Sequence, residues 1–258
     1  MSGFLFEQIV FGPIRSRRLG ISLGINLLPT HRKMCSFNCI YCECGITMPK
    51  PEPVDFAEKQ DVIYHLEEKL KSLSSKNAMI DAITFAGNGE PTLHADFNEI
   101  IDQTILLRNQ YYKNAKIAVL SNGSKADKPS VEDALNKVDL NILKLDAGTE
   151  ETFQKINIAK RGLTLEIILS NLERFKGKMI IQAMFVKGIH QGEMYDNTTE
   201  EEVDLWLQHI KRLQPRQVMI YPIARETPIS GLQKVSLDTL EKIAQKVEAA
   251  GIEARVFY

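Results

Sequence analysis

The chain has 258 residues, a net charge of −1, 44% hydrophobic and 25% charged residues, which is the balance of a globular protein. That charge excludes a molecule that binds polyanions over its whole surface, and no apolar run approaches the ~18 residues of a membrane span. Met1 to Glu7 lack the basic and apolar regions of a secretion signal, and all four cysteines crowd between positions 35 and 44, unlike a disulfide framework; a reducing cytoplasm is expected.

Residues 1–20 read as an N-terminal extension and Ile21 to Leu28 as the first strand of a single domain over 1–258. Asp55 with Glu58 offers a capping box for a helix carrying Val62, Ile63, Leu66, Leu70 and Leu73. Ile80 to Ala86 is a short buried strand, followed by a helix near 97–111. The strand Ile117 to Leu120 ends at the turn Ser121-Asn122-Gly123. Ser130 is expected to cap a short helix before the strand Leu140 to Leu145. A helix around 163–175 leads to the strand Met179 to Val186, and Lys187 to Gly192 reads as a glycine-rich lid loop containing His190. Thr199 and Glu202 form a second capping box, for a helix reaching Leu213. Gln217 to Tyr221 is the sixth strand; a helix from Leu237 to Ala250 stops at Gly251, with residues 252–257 as a seventh strand.

Repeated βα units imply a parallel sheet with right-handed crossovers. Six or seven units are too few for a closed eight-fold barrel, so the expected fold is α/β, a partial (β/α)6-type open TIM barrel. Functional side chains then gather at the strand C-terminal ends: Asn88 and Glu90, Ser121 and Asn122, Asp146, Gln182, Tyr221 and Arg225. The same rule brings the loop after the first strand to that mouth.

That loop reads Cys35-Ser36-Phe37-Asn38-Cys39-Ile40-Tyr41-Cys42. Three thiolates fall one short of a four-ligand metal site. A [4Fe–4S] cube held by three cysteines leaves one iron open, as a cluster that does chemistry requires. Structural zinc completed by Cys44 or His31 is the alternative, although four-thiolate zinc sites usually split into two separated pairs. Between Glu7 and Glu43 there is no acidic residue, while Arg15, Arg17, Arg18, Arg32 and Lys33 fall in that window. This is either a phosphate-facing patch or a solvated basic face.

The C-x3-C-x2-C loop after a first strand, in a repeating βα chain, resembles the radical S-adenosylmethionine (SAM) superfamily. The resemblance implies that Cys35, Cys39 and Cys42 hold a [4Fe–4S] cluster whose fourth iron is chelated by SAM. Reductive cleavage of SAM then yields a radical that abstracts hydrogen from a substrate, the hard chemistry belonging to the cofactors. Gly87-Asn88-Gly89-Glu90 stands where the family carries a Gly-Gly-Glu-type motif for the SAM amino group, with Asn88 interrupting the glycine pair. By the same resemblance Ser121 and Asn122 contact the SAM ribose or carboxylate, Asp146 accepts from ribose hydroxyls, and Tyr41 packs near the adenine. Turn chemistry accounts for Ser121, Asn122 and Asp146 equally well, and core packing for Tyr41. Gly12 to Gly20, Leu143 to Glu150, Asp196 to Thr199 and Tyr221 to Pro228 look like the group of iron–sulfur oxidoreductases related to wyosine-base tRNA synthases. The sequence shows no flavodoxin-like domain, so a separate electron donor is expected, by implication a flavodoxin or ferredoxin; the kinship together with the basic window suggests an RNA base as substrate. A radical activase or peptide modifier acting on a protein partner, and a non-catalytic iron–sulfur or zinc scaffold, stay open as alternatives.

Overall fold

The computed structural model describes residues 3–47 and 55–258; residues 1 and 2 of the expected extension lie outside them. Chain order gives β1 (Val10–Ser16), β2 (Gly20–Ile25), α1 (Lys59–Ser75), β3 (Ala82–Phe85), α2 (Phe97–Tyr111), β4 (Lys116–Ser121), α3 (Pro129–Lys137), β5 (Leu140–Lys144), α4 (Glu150–Asn157) and α5 (Leu165–Glu173). Then follow β6 (Ile180–His190), β7 (Glu193–Asp196), α6 (Glu200–Leu213), β8 (Gln217–Pro222), β9 (Leu232–Lys234), α7 (Leu237–Ala249) and β10 (Ala254–Val256).

The main sheet runs β1-β2-β3-β4-β5-β6-β8-β10. From β2 to β10 each neighbouring pair is parallel, so successive βα units always step the same way round. The sheet is open, with β1 and β10 at its two ends, as a partial barrel requires. Its strands are buried on both faces and therefore read as short apolar runs rather than as alternation. Alternation nevertheless decides what points where. Ile117, Val119, Leu143, Ile181, Ala183, Val218 and Ile220 pack outward against the helices. Ala118, Ile142, Ile180 and Met219 form a second cluster inside the lumen with Leu19, Leu120, Leu140 and Phe257. Two residues on from Ile142, Ile180 and Met219 stand Lys144, Gln182 and Tyr221, which places their side chains inward above this apolar floor.

The extension contains a strand. β1 pairs antiparallel with β2, its register shifting between Phe11 and Ile14. Gly12-Pro13 breaks the apolar run there, and proline is tolerated only at such an edge or bulge. The lid loop is also ordered backbone: β6 continues to His190 and pairs with β7 as a hairpin, with β9 on the same arm. The first helix starts at Lys59 without a side-chain cap; Asp55 instead lies 3.7 Å from Arg32 and 3.8 Å from His31. The third begins at Pro129 behind Lys128, so Ser130 is inside it rather than capping it.

Thr199 does cap α6, accepting from the Glu202 amide. The Glu202 carboxylate leaves the capping box and turns to the β5–α4 connection. There it accepts from Gly148 N at 2.5 Å, Thr149 N at 3.1 Å and Thr149 Oγ1 at 2.9 Å. Trp206, buried on the same helix, donates to Leu145 O at 3.0 Å. Two side chains of α6 thus brace the turn that carries Asp146.

Candidate active site

The cysteine loop hangs between two other loops at the barrel mouth. On one side Met34 bridges to Gly89: Met34 N donates to Asn88 O at 2.8 Å and Glu90 N to Met34 O at 3.0 Å. On the other side Asn38 N donates to Asn157 O at 3.0 Å, Ile40 N to Ile156 O at 3.0 Å and Lys160 N to Ser36 O at 2.8 Å. The loop is therefore positioned by the end of β3 and the end of α4. α4 was not expected from the sequence, although Thr149 followed by Glu150 and Glu151 is a helix-start signal; its eight residues follow directly on the strand-end turn.

Each thiol of the loop is faced by a donor. Asn122 Nδ2 lies 3.5 Å from Cys35 Sγ, with Phe37 N at 3.4 Å. Asn157 Nδ2 lies 3.7 Å from Cys39 Sγ. The buried Lys33 ammonium donates to Gly45 O at 2.8 Å and to Cys42, and sits in the field of all three thiols. Among the described residues Lys33 forms no ion pair with a carboxylate, and the groups that face it are the thiols. Burial pushes the Cys35 thiol up to about 12, and burial likewise raises Cys39. The Cys44 thiol donates to Cys42, lowering Cys42 and raising itself; that is the place of the fourth cysteine, 3.4 Å from Gly87 O.

Those sulfur-directed donors fit a bound cluster, because hydrogen bonds to thiolate sulfur are what stabilises and tunes iron–sulfur ligation. No group of three or more His, Cys, Asp or Glu side chains among the described residues is placed to hold a single metal ion. A cube, taking one thiolate per iron, does not ask its ligands to meet at one point.

The other expected site residues divide. Glu90 is buried and its carboxylate is saturated from within: Thr92 N at 3.1 Å, Thr92 Oγ1 at 2.6 Å, Ser121 Oγ at 2.8 Å and Asn122 N at 2.7 Å. Burial raises its pKa against these donors. It joins the ends of β3 and β4 and thereby aims Asn122 at Cys35. Asn88 turns away from the mouth, holding Phe6 N and Phe6 O at 2.8 and 2.9 Å and Pro29 O at 2.9 Å. Asp146 is the hub of a buried network. It accepts from the Tyr41 hydroxyl and the Lys144 ammonium, from Asn157 Nδ2 at 3.2 Å and from Met184 N at 2.9 Å. Lys144 lies over the Tyr41 ring, 4.5 Å from its centroid. Burial opposes the Lys144 charge, but Asp146, the Cys39 thiol and Tyr221 outweigh it and hold its pKa above the ordinary lysine value. Arg225 pairs with Glu43 of the cysteine loop, across a cavity of about 360 Å³ that Cys42 also lines.

A model of the Radical SAM superfamily matches residues 30–218, which include the cysteine loop and the ends of β3, β4 and β5 with Glu90, Asn122 and Asp146. The chain belongs to the radical SAM superfamily. Members use a [4Fe–4S] cluster with SAM, and membership implies an enzyme. Curated relatives include a UPF0026 protein of Helicobacter pylori, 32% identical over 91% of this chain and 72% of its own length. Another, from Methanocaldococcus jannaschii, is 30% identical over 91% of this chain and 70% of its own; the chain belongs with these UPF0026 proteins. It is also 32% identical to a GTPase Obg of Brachyspira hyodysenteriae, spanning a third (33%) of that protein. Among solved structures, a radical SAM methyltransferase from Sphaerobacter thermophilus superposes with a TM-score of 0.65 at 14% identity, covering 91% of this chain and 65% of that one. Streptococcus suis SuiB bound to S-adenosylmethionine gives 0.60 at 14% identity over 90% and 50%. These likenesses establish the fold. No helix among the described residues is long and apolar enough to cross a membrane.

Proposed function

We propose that this protein cleaves SAM reductively at a [4Fe–4S] cluster held by Cys35, Cys39 and Cys42 and abstracts hydrogen from a substrate in the barrel lumen. The observation that carries this reading is the set of donors, Asn122, Asn157 and Lys33, each facing one of the three thiols. Cluster and SAM together would supply the radical; the chain's own residues orient both. Glu90, tied to Ser121 and Asn122, positions Asn122 beside Cys35 and stands at the β3 end where the resemblance places the SAM ammonium. Asp146, through Tyr41 and Asn157, holds the far side of the loop. Electrons come from a separate donor, by family habit a flavodoxin or ferredoxin.

Anaerobic reconstitution with iron and sulfide, then dithionite and SAM, should yield 5′-deoxyadenosine from the wild type and none above background from Cys39→Ala. Equal yields from the two would remove the enzyme reading and leave the scaffold.

An RNA base as substrate follows from the resemblance to wyosine-type enzymes and keeps one structural support: Arg15 and Arg17 are exposed on the β1–β2 hairpin. The rest of the basic window is spent elsewhere, Arg32 on Asp55, Lys33 on the thiols and Arg18 inside the barrel. Reversing Arg15 and Arg17 to glutamate should therefore weaken binding to bulk cellular RNA in a filter assay, with a shallower salt dependence. Unchanged binding would end the RNA reading.

A further inference from the structure

Arg18 sits in the β1–β2 turn, at the N-terminal end of the barrel, yet its side chain runs inward. Its Nη1 donates to Gln182 Oε1 at 2.8 Å, and its guanidinium stacks over the Tyr221 ring at 4.5 Å from the centroid. The Tyr221 hydroxyl donates to the same Gln182 oxygen at 3.2 Å. Gln182 and Tyr221 point into the lumen, as their register with Ile180 and Met219 requires. The guanidinium is thus held by the Gln182 carbonyl oxygen and by the ring and hydroxyl of Tyr221, all neutral. No carboxylate of the described residues pairs with it. Asp146, the carboxylate whose field reaches Tyr221, is committed to Lys144, Tyr41 and Asn157.

A guanidinium drawn into a half-buried lumen without a counter-ion is a costly arrangement. An oxyanion arriving from the mouth would relieve it, and the flat guanidinium fork is the group best shaped to take a carboxylate or phosphate through two parallel hydrogen bonds. We infer that Arg18, set by Gln182 and Tyr221, is the anion-binding group of the substrate site, and that the substrate carries a carboxylate or phosphate into the lumen. The inference rests on the radical SAM reading for what happens to that substrate, but not for whether the anion binds. The apolar floor of Leu19, Leu140, Ile142 and Met219 beneath leaves Arg18 as the charge that fixes which end of the substrate points down.

The experiment is isotope-edited NMR of the arginine Nε–Hε groups in the reconstituted, SAM-bound protein. The Arg18 signal is assigned by its loss in Arg18→Lys. Inorganic phosphate and acetate are titrated separately at constant ionic strength. Saturable movement of the Arg18 signal with one anion is expected; phosphate alone would point to a phosphorylated substrate and acetate alone to a carboxylic one. Arg18→Lys keeps a charge but loses the fork, and should weaken the favoured anion about tenfold, followed by Tm. An Arg18 signal that moves with neither anion, or only in step with exposed Arg15 and Arg17, overturns the proposal. 5′-Deoxyadenosine formation by the wild type in the same preparation tests the cofactor reading separately, so either can fail alone.

Discussion

Replacing Asp146 by alanine should destabilise the protein by about 3–5 kcal/mol, the range for removing one partner of a buried ion pair. The Asp146 side chain has 0% exposure and that of Lys144 12%, so the ammonium left behind has little access to water. The loss also unhooks the Tyr41 hydroxyl, Asn157 Nδ2 and Met184 N. Urea denaturation gives the single and double variants needed. Asp146→Ala with Lys144→Met removes both charges and should recover more than half of the single-variant loss, since matched apolar replacement of a buried pair is often close to neutral. If the double variant were as unstable as the sum of the two singles, the pair would not be coupled and the hub would be mere packing.

Gly89→Ala is expected to have the second large effect, about 2–4 kcal/mol, because it adds a backbone collision to conformational strain. Gly89 has φ +140°, and a Cβ there would stand 1.8 Å from Met34 O and 2.5 Å from Met34 C. Neither atom can move without breaking the bridge that docks the cysteine loop on the end of β3. Gly162 is the control: φ is +90° but nothing lies within 4 Å of its Cβ position. Gly162→Ala should cost only about 1–2 kcal/mol, the left-handed penalty by itself. Iron and sulfide bound on reconstitution, normalised to folded protein, should fall for Gly89→Ala and stay at the wild-type level for Gly162→Ala. Full cluster loading by the Gly89 variant would show that the bridge does not position the thiols.

The parallel strands were legible because each buries both faces, giving a short apolar run between turn residues. β1 was not, since Gly12-Pro13 interrupts its pattern and only the bulged pairing with β2 makes it a strand. β7 and β9 were missed for a different reason. They pair on an arm that extends past the main sheet, where Ile189 and Met194 are exposed and no core periodicity operates. The Thr199 cap was readable from its local spacing, whereas Glu202 left that motif for Gly148 and Thr149, more than fifty residues away.

Within the site, the C-x3-C-x2-C spacing is local covalent information, and it identified the thiols and the family before any fold was known. Glu90 was correctly expected at the strand end, but its role depends on Ser121 and Asn122, donors that reach it only through the β3–β4 pairing. Asn157 carried no signal at all, because it meets Cys39 across 118 residues of chain.

By itself, then, the sequence determined the βα repeat, the C-x3-C-x2-C spacing and the superfamily it points to, since spacing and periodicity depend on neighbours along the chain. Only the tertiary structure decided how the basic window is used. Five cations that look equivalent in sequence part company because they fall on different tertiary elements. The β1–β2 turn sends Arg18 into the lumen and leaves Arg15 and Arg17 in water, Arg32 lies beside Asp55, and the docked cysteine loop buries Lys33 against the thiols. Where a charge ends up depends on which surfaces close around it, and those surfaces belong to strands far apart in the chain.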